Sequence, residues 1–263
     1  MARTDPRTSD PGRPSSARLT NYWLGGTNYT AADQAKAAEI ERACPAVRQM
    51  TLDSRLFTAR AAGWAAGEGI RQFIDLGCGL PPPGPLPPVH AVARSVRPGA
   101  RVCYVDHDPE VTDYLGDVIT DGGIAAVTAD LRDPAEVWSD PGLLKVIDPG
   151  EPACLILTLV LHFVPAWKAR AVVQGYMRLA APGSIVAVSV PRVDDPAMWK
   201  QLAAAYPAGV ENYSARQAGG VLRGLELVPP GVGGAAGLRP GWGDVPCSRK
   251  GPAYVLGGIG VRQ

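Results

Sequence analysis

Short apolar runs alternate along this chain with longer segments in which apolar side chains recur every three or four positions. The runs predict buried strands, and the longer segments predict amphipathic helices. A repeated strand–helix–strand order is typical of an α/β fold, in which helices cover both faces of a parallel sheet. The predicted strands are 71–76, 101–106, 124–129, 153–160, 184–190, 224–228 and 253–260, and the predicted helices are 51–67, 87–97, 109–120, a short patch near 134–146, 167–181 and 195–206.

The region before the first predicted strand has a different pattern. Residues 1–15 are rich in Pro, Arg and Asp and have no apolar periodicity, which predicts a disordered arm. Residues 16–70 are predicted to form an N-terminal helical cap, in which Leu24-Gly25-Gly26 is typical of a helix end. Residues 71–263 are predicted to form the sheet core, so that 16–263 is a single domain.

Composition and charge limit the partners that this chain can have. The chain has 263 residues, of which 46% are hydrophobic, and this is enough for a substantial core. A net charge of +1 without a dense Lys/Arg run argues against nucleic acid as a partner. The longest apolar run, 153–164, is too short to cross a bilayer, and the arm lacks the apolar segment of a signal peptide. We therefore expect a cytoplasmic protein without membrane association, and a homodimer is compatible with these observations.

The cysteines do not indicate a framework of disulfides or a metal site. Five cysteines are widely scattered, no pair has Cys-x-x-Cys spacing, and there are only three histidines. Cys78 lies between two glycines of the turn discussed next. Because no His or Lys is near it in sequence, a small structural residue is favoured there over a catalytic thiol.

Two consecutive predicted strands lead to carboxylates near the same edge of the sheet. The first strand runs into Asp75-Leu76-Gly77-Cys78-Gly79, and the second ends at Asp106. Glycines without a Cβ allow a tight turn, so a ligand can lie against bare backbone. Asp106 is placed to accept hydrogen bonds from both hydroxyls of a ribose. The sequence therefore predicts a nucleotide-type pocket.

The turn departs from the pattern that binds dinucleotides. That pattern needs a third glycine where this chain has Pro82, and proline has no N–H to offer a phosphate. Asp75 would repel a pyrophosphate but suits a ligand that carries an ammonium group. S-adenosylmethionine has the ammonium and the ribose but no phosphate, so it is the predicted cofactor, with S-adenosylhomocysteine as its product. A dehydrogenase is the weaker alternative.

A third acid follows the next predicted strand. Asp130 is placed to accept from an adenine amino group, and the Leu131 backbone N–H to donate to a ring nitrogen. His107, beside Asp106, is expected to flank the adenine. Each signal alone is weak, because an Asp at a strand end is more often a helix cap than a ligand contact. Their order and spacing together favour the adenosyl ligand.

With these motifs the chain resembles class I methyltransferases in its core. More closely, it resembles an actinobacterial family of S-adenosylmethionine-dependent methyltransferases whose substrates are mostly unknown. The resemblance implies a Rossmann-like sheet of seven mostly parallel strands, the last antiparallel, with helices on both faces and an N-terminal helical lid. The motifs that carry it are the segment 17–29, the turn Gly79-Leu80-Pro81, the run Leu161-His162-Phe163-Val164-Pro165 and the segment 224–231.

The resemblance also implies roles for residues before the sheet. Tyr22, Gly25 and Gly26 are expected to belong to a lid over the cofactor pocket, although a plain helix end explains the same residues. Arg55 is expected to reach the carboxylate of the cofactor. The alternative for Arg55 is an exposed position on its helix, which is common for arginine.

His162 is the candidate general base. It follows the fourth predicted strand, which faces the methyl group in this architecture, and the ordinary pKa of histidine lies near working pH. The alternative is a hydrogen-bonded packing residue between Leu161 and Phe163. The apolar Thr158-Leu159-Val160 segment favours a small, partly hydrophobic acceptor, and the proline-rich loop 81–88 and the segment 231–251 are expected to line the acceptor side.

The sequence therefore predicts a methyltransferase that uses S-adenosylmethionine to methylate an oxygen or nitrogen of a small molecule. Two alternatives stay open. One is an enzyme that uses the same cofactor without methyl transfer, such as a cyclase or lyase. The other is a regulatory module that binds the cofactor and catalyses nothing. An open cavity around His162 favours an enzyme, whereas a closed apolar surface there favours the sensor.

Overall fold

Three helices precede the sheet. The computed structural model describes residues 12–119, 121–206, 209–234 and 251–263. The three helices are α1 (Ser16–Trp23), α2 (Ala31–Ala43) and α3 (Val47–Gly67). Their buried side chains belong to one hydrophobic cluster with those of α4 and one face of the sheet, and a second cluster covers the other face. The chain is thus an α/β protein with helices on both faces.

The remaining elements alternate as the sequence predicts. In chain order they are β1 (Gln72–Leu76), α4 (Val89–Val96), β2 (Arg101–Asp106), α5 (Pro109–Val118), β3 (Ile124–Thr128), α6 (Pro134–Ser139), α7 (Pro141–Leu144), β4 (Cys154–Thr158), α8 (Ala166–Leu179), β5 (Ile185–Val193), α9 (Pro196–Ala205), α10 (Ala215–Val221), β6 (Glu226–Leu227), β7 (Gly233–Gly234) and β8 (Ala253–Val261).

The strand order places a ligand crevice at the middle of the sheet. In the described part of the chain the order is β3-β2-β1-β4-β5-β8-β6, and the two-residue β7 pairs with β8. Strands β1 to β5 run parallel, whereas β8 runs antiparallel to β5 and β6. The predicted fold, a mostly parallel sheet of seven strands with an antiparallel last strand, is confirmed, and the two-residue β7 is an additional strand that was not predicted. Because the order reverses between β1 and β4, ligands are expected outside the carboxyl ends of these strands.

The fourth predicted strand is shorter than expected. Strand β4 ends at Thr158, and residues 161–163 form a 3-10 turn. Between them Leu159 has a φ of 47°, in the left-handed region that non-glycine residues rarely adopt. Its N–H donates to the carbonyl oxygen and Oγ of Ser189 at 3.0 and 3.1 Å, which holds this conformation. The apolar run 153–164 therefore contains a turn that its composition does not reveal.

Two segments named in the sequence analysis, the arm 1–15 and the segment 231–251 expected on the acceptor side, fall largely outside the described residues. Residues 1–11 of the predicted disordered arm and residues 235–250 are not described, so the arm stays a prediction. In the described part of the arm, the Ser15 N–H donates to Asp33 at 2.9 Å. Within the described ranges, no helix has the length and the apolar character that a bilayer-spanning helix needs.

Candidate active site

A cavity of about 800 Å³ lies at the carboxyl edge of the sheet, and we call it the large cavity. The turn after β1, the tips of β2 and β4, and helices α1 and α3 surround it. Ligand pockets have volumes of about 300–1,000 Å³, so the size suits a nucleoside-sized ligand and a partner. The predicted cofactor residues that line it are Arg55, Gly77, Gly79, Asp106 and His107.

The glycine turn presents bare backbone to the large cavity. Gly77 and Gly79 have φ values of +70° and +61°, which glycine adopts without strain. A Cβ added to Gly77 would clash with the side chain of Val160, and the Gly77 N–H donates to the Val105 carbonyl at 2.7 Å. The turn is thus fixed between β2 and the tip of β4, and a side chain at position 77 would not fit in this turn.

Asp106 holds the turn and also borders the large cavity. Its side chain is 8% exposed, and its Oδ2 accepts the Gly79 N–H at 2.9 Å while Oδ1 accepts the Asp108 N–H at 3.1 Å. His107 Nδ1 lies 3.3 Å from Oδ1, and the hydrogen bond with Asp106 raises the pKa of His107. Each carboxylate oxygen has further lone pairs, so Asp106 retains the capacity to accept ligand hydroxyls.

Asp75 lies on the other side of the glycine turn. It lines a second cavity of about 210 Å³ rather than the large cavity, together with Arg55, Tyr104 and His90. His90 Nδ1 lies 2.8 Å from the Tyr104 hydroxyl oxygen. Pro81, Pro82, Pro87 and Pro88 also line this second cavity, whereas the sequence placed their loop on the acceptor side. The loop therefore encloses the side of the turn that Asp75 faces.

The pKa of Asp75 predicts a pH dependence of stability. Burial raises this pKa to about 6 against the attraction of Arg55, and Asp106 adds to the rise. In an unfolded chain the value is about 3.9. A raised folded-state pKa stabilises the fold at low pH, and this contribution is lost as pH rises from about 4 to about 6. At about 1.4 kcal/mol for each pKa unit, the loss is about 3 kcal/mol.

The test compares Asp75→Asn with the wild-type protein by urea unfolding at pH values from 4 to 7. We expect the free energy of unfolding of the variant, relative to wild type, to increase as pH rises from 4 to 6. The difference should be constant above about pH 7, because Asp75 is then ionised in both states. A difference that stays flat from pH 4 to 7 contradicts the raised pKa.

Asp130 and Leu131 do not line the large cavity, and only Leu131 has a contact at the glycine turn. The Asp130 carboxylate accepts the backbone N–H and the guanidinium Nε of Arg132 at 2.8 and 2.9 Å, and the hydrogen bond from Arg132 lowers the pKa of Asp130. Leu131 Cδ2 lies 3.4 Å from the position of a Cβ on Gly77. The structure thus brings Leu131 to the turn and pairs Asp130 with Arg132, and their adenine roles remain predictions.

Helix α1 covers the large cavity through residues that the sequence did not single out. Ser16, Ala17 and Thr20 line the cavity, whereas Tyr22, Gly25 and Gly26 do not. The predicted helix end is present: the N–H groups of Gly25 and Gly26 donate to the carbonyls of the preceding turn. A Cβ on Gly26 would lie 2.5 Å from Asn21 Cγ, and the Asn21 amide reaches the Pro81 carbonyl at 3.4 Å. Gly26 therefore permits a contact between the cap and the proline-rich loop.

Arg18 ties this helix to its neighbours, and sequence reasoning missed it. The side chain is 4% exposed, and its Nε donates to Asp33 of α2 at 2.7 Å. Its Nη1 pairs with Glu110 of α5, and its Nη2 donates to the Arg13 carbonyl at 2.6 Å. Burial alone would raise the pKa of Asp33, but hydrogen bonds from Arg18, Thr30 and Ser15 lower it. The partners of Arg18 lie on α2 and α5, which are distant in sequence, so no local motif indicated this role.

Arg55 organises the glycine turn from α3. Its Nη2 donates to the Cys78 carbonyl at 2.9 Å and to the Leu80 carbonyl at 3.4 Å. It also lines both the large and the second cavity. The alternative of an exposed position for Arg55 is therefore wrong, while its contact with the carboxylate of the cofactor stays a prediction.

His162 lies beside a third, smaller cavity of about 60 Å³, which we call the His162 cavity. This cavity shares Ser16, Thr20, Thr51, Leu159 and Phe163 with the large cavity, so the two adjoin. His162 lines only the small one. Its side chain is 7% exposed, and burial lowers its pKa to about 3. The imidazole is therefore neutral at physiological pH.

The lowered pKa of His162 acts on stability in the opposite direction to that of Asp75. A buried neutral histidine stabilises the fold fully above its unfolded pKa of about 6.5, and the contribution is lost as pH falls toward 3. As pH falls from 6.5 to 4, we expect the free energy of unfolding to decrease less for the His162→Gln variant than for the wild-type protein. Urea unfolding over that range measures the difference, and parallel curves would contradict the lowered pKa.

Within the described ranges, no three His, Cys, Asp or Glu side chains are grouped where they could hold a metal ion. The cysteines at 44, 78, 103 and 154 are all free and buried. Burial raises the pKa of Cys78, so its thiol is protonated.

Comparisons with known proteins agree with this geometry. A family model described as S-adenosyl methyltransferase matches residues 2–263. The chain is 27% identical over 205 residues to a candidate S-adenosyl-L-methionine-dependent methyltransferase of Parafrankia sp. (strain EAN1pec). That match covers 69% of this chain and 59% of the relative, so the chain spans less than two thirds of the relative's length.

Two crystal structures are similar along nearly the whole chain. One is a candidate methyltransferase from Thermobifida fusca YX, 32% identical, with a TM-score of 0.87 and coverage of 96% of both chains. The other is a DUF574 family protein from Streptomyces avermitilis MA-4680, 30% identical, with a TM-score of 0.88. That match covers 95% of this chain and 98% of the other.

Proposed function

This chain belongs to the family of S-adenosyl methyltransferases, and from that premise we propose that it transfers a methyl group from S-adenosylmethionine to an oxygen or nitrogen atom of a small molecule. The observation that carries the proposal is the position of Asp106. This buried carboxylate lies at the tip of β2, borders the large cavity and holds the glycine turn. Charge-assisted bonds to ribose hydroxyls are the interactions that such a carboxylate offers.

The residues around the large cavity fit the cofactor. The turn from Gly77 to Gly79 offers backbone that a Cβ would obstruct, and Asp106 offers acceptors for the ribose. Arg55 borders the same space and offers a cation for a carboxylate. Ser16, Ala17 and Thr20 of helix α1 line the same space. We keep Asp75, Asp130, Leu131, Tyr22, Gly25 and Gly26 as proposed contributors beside these residues.

For this chemistry the protein mainly has to align the acceptor with the methyl group. When bound, S-adenosylmethionine would supply an activated methyl group: the electron pair of its carbon–sulfur bond would stay with sulfur, and the acceptor atom would gain the methyl group and release one proton to solvent. The chain must hold the acceptor in line and exclude water. Leu159 and Phe163 border both the large cavity and the His162 cavity, so they lie where an acceptor would meet the cofactor.

A small acceptor is supported by the space beside the large cavity. The His162 cavity is narrow and mostly apolar, so by itself it does not favour an enzyme over a module that only senses the cofactor; the enzyme is supported by the family to which the chain belongs. The net charge of +1 offers no general attraction for nucleic acid. The free cysteines support a reducing compartment, the cytoplasm, as the proposed location. The proposal includes a homodimer in which each subunit contains a complete site.

Methyl-labelled S-adenosylmethionine tests this function directly. Purified protein is incubated with the label and either the small-molecule or the macromolecular fraction of an actinobacterial extract. We expect label in a product of low molecular mass, one S-adenosylhomocysteine for each methyl group transferred, and much less transfer by the Asp106→Asn protein at cofactor concentrations near the wild-type Kd. Methylthioadenosine as product, or label only in macromolecules, contradicts the proposal.

A further inference from the structure

We propose, building on the function above, that the His162 cavity is the acceptor subsite and that it selects an uncharged aromatic molecule with a hydroxyl or N–H group that hydrogen-bonds to His162 Nδ1. His162 is then a specificity-determining residue for the acceptor. The argument rests on the unpartnered nitrogen of this residue, on the side chains around it and on the position of the cavity.

The first observation is a buried nitrogen without a partner. His162 Nδ1 is buried and has no hydrogen-bond partner among the described residues. Leaving a buried polar group without a partner destabilises the protein, and a ligand that supplies the missing partner recovers this cost. Because the imidazole is neutral, it offers a hydrogen bond and no ionic attraction.

The second observation is the aromatic and uncharged lining. Trp23, Phe163, Trp199 and Tyr206 border the cavity, and no Asp, Glu, Lys or Arg does so within the described residues. The rings of His162 and Phe163 lie 4.0 Å apart, and those of Phe163 and Tyr206 lie 6.3 Å apart. Aromatic side chains at such separations favour a further planar ring, because offset and edge-to-face contacts add to area burial. A charged ligand would lose its hydration here without gaining a counter-ion.

The third observation is the size and position of the cavity. Its volume of about 60 Å³ is less than the about 150 Å³ of a dry apolar cavity that holds benzene. A ring therefore cannot lie in this cavity alone. Since Thr20, Thr51, Leu159 and Phe163 also line the large cavity, the ring must extend across this shared border toward the cofactor. This places one edge of the acceptor at His162 and the other where methyl transfer occurs.

His162 borders only the small cavity, so the geometry favours an anchoring role over that of a base that meets the cofactor. A conservative change separates the hydrogen bond from the packing. Phenylalanine at position 162 keeps a planar ring and removes both nitrogens. It should weaken only those ligands that bond to the imidazole.

Isothermal titration calorimetry on protein saturated with S-adenosylhomocysteine tests the proposal with four probes. They are 2-naphthol, naphthalene without the hydroxyl, the charged 2-naphthoate and the non-planar decahydro-2-naphthol. We expect 2-naphthol to bind about tenfold more tightly than naphthalene, since one hydrogen bond is gained and a tenfold change corresponds to about 1.4 kcal/mol. The charged and the non-planar probes should bind more weakly than 2-naphthol.

The His162→Phe variant should bind 2-naphthol and naphthalene equally while its affinity for S-adenosylhomocysteine stays within twofold of wild type. If His162→Phe does not fold, the comparison of the four probes on wild-type protein still decides the matter. Equal binding of 2-naphthoate and 2-naphthol, or no binding of any aromatic probe, overturns this inference. If S-adenosylhomocysteine itself does not bind, the proposed function fails instead, so the two failures are distinguishable.

Discussion

We expect the Asp106→Asn variant to bind S-adenosylhomocysteine at least about 100-fold more weakly than the wild-type protein. The carboxylate borders the large cavity and accepts the N–H groups of Gly79 and Asp108. An asparagine amide turns one acceptor oxygen into a donor, which then faces a backbone N–H or a ribose hydroxyl. Charge-assisted bonds are worth about 1.5–3 kcal/mol each, so losing two costs at least about a factor of 100.

Calorimetric titration of both proteins with S-adenosylhomocysteine measures this loss. The matched control is Asp113→Asn, which makes the same charge change at an exposed position of α5 and should leave the affinity unchanged. Circular dichroism establishes that both variants are folded. Retention of wild-type affinity by Asp106→Asn would show that this carboxylate does not bind the ribose.

The second large effect concerns the buried arginine of α1. We expect Arg18→Met to lower the free energy of unfolding by about 3–5 kcal/mol, because Asp33 is 0% exposed and would lose its counter-ion. Helix α1 would also lose its pairing with Glu110 of α5 and its bond to the Arg13 carbonyl. Since Ser16, Ala17 and Thr20 of this helix line the large cavity, cofactor affinity should fall as well.

Urea unfolding and calorimetric titration measure the two consequences of Arg18→Met. In the double variant Arg18→Met/Asp33→Asn, the neutral amide should restore part of the stability, because no unpaired charge is then buried. The control is Lys36→Ala, which removes a more exposed ion pair with Glu39 on the same helix as Asp33 and should cost about 0.5 kcal/mol or less. Equal effects of Arg18→Met and Lys36→Ala would contradict the account.

The predicted strands and helices of the core agree with the structure because one local pattern determines them. Parallel strands buried on both faces are continuous apolar runs, and the helices between them carry an apolar stripe. The bounds of α2, which lies within the predicted helical cap, and helix α10 were not predicted. The capping boxes Thr30 with Asp33 and Ser214 with Gln217 were the signals for them. The turn at Leu159 had no local signal, because Ser189 of another strand stabilises it.

The parts of the candidate site that are formed by residues close together in sequence were predictable. The glycine turn and Asp106 follow from a strand end and its next residues, and the structure places both at the large cavity. The side-chain surroundings were not predictable in the same way. Asp130 is paired with Arg132, and Asp75 faces the second cavity. The roles of Arg18 and of the His162 cavity depend on helices that are distant in sequence and therefore left no motif.

A crystal structure of the wild-type protein with S-adenosylhomocysteine tests the central claim most directly. The account predicts the ligand in the large cavity, with both ribose hydroxyls hydrogen-bonded to the Asp106 carboxylate and the amino acid part against Gly77 to Gly79. Density for the ligand away from the carboxyl edge of β1 and β2, or an Asp106 side chain that does not touch the ribose, would contradict it.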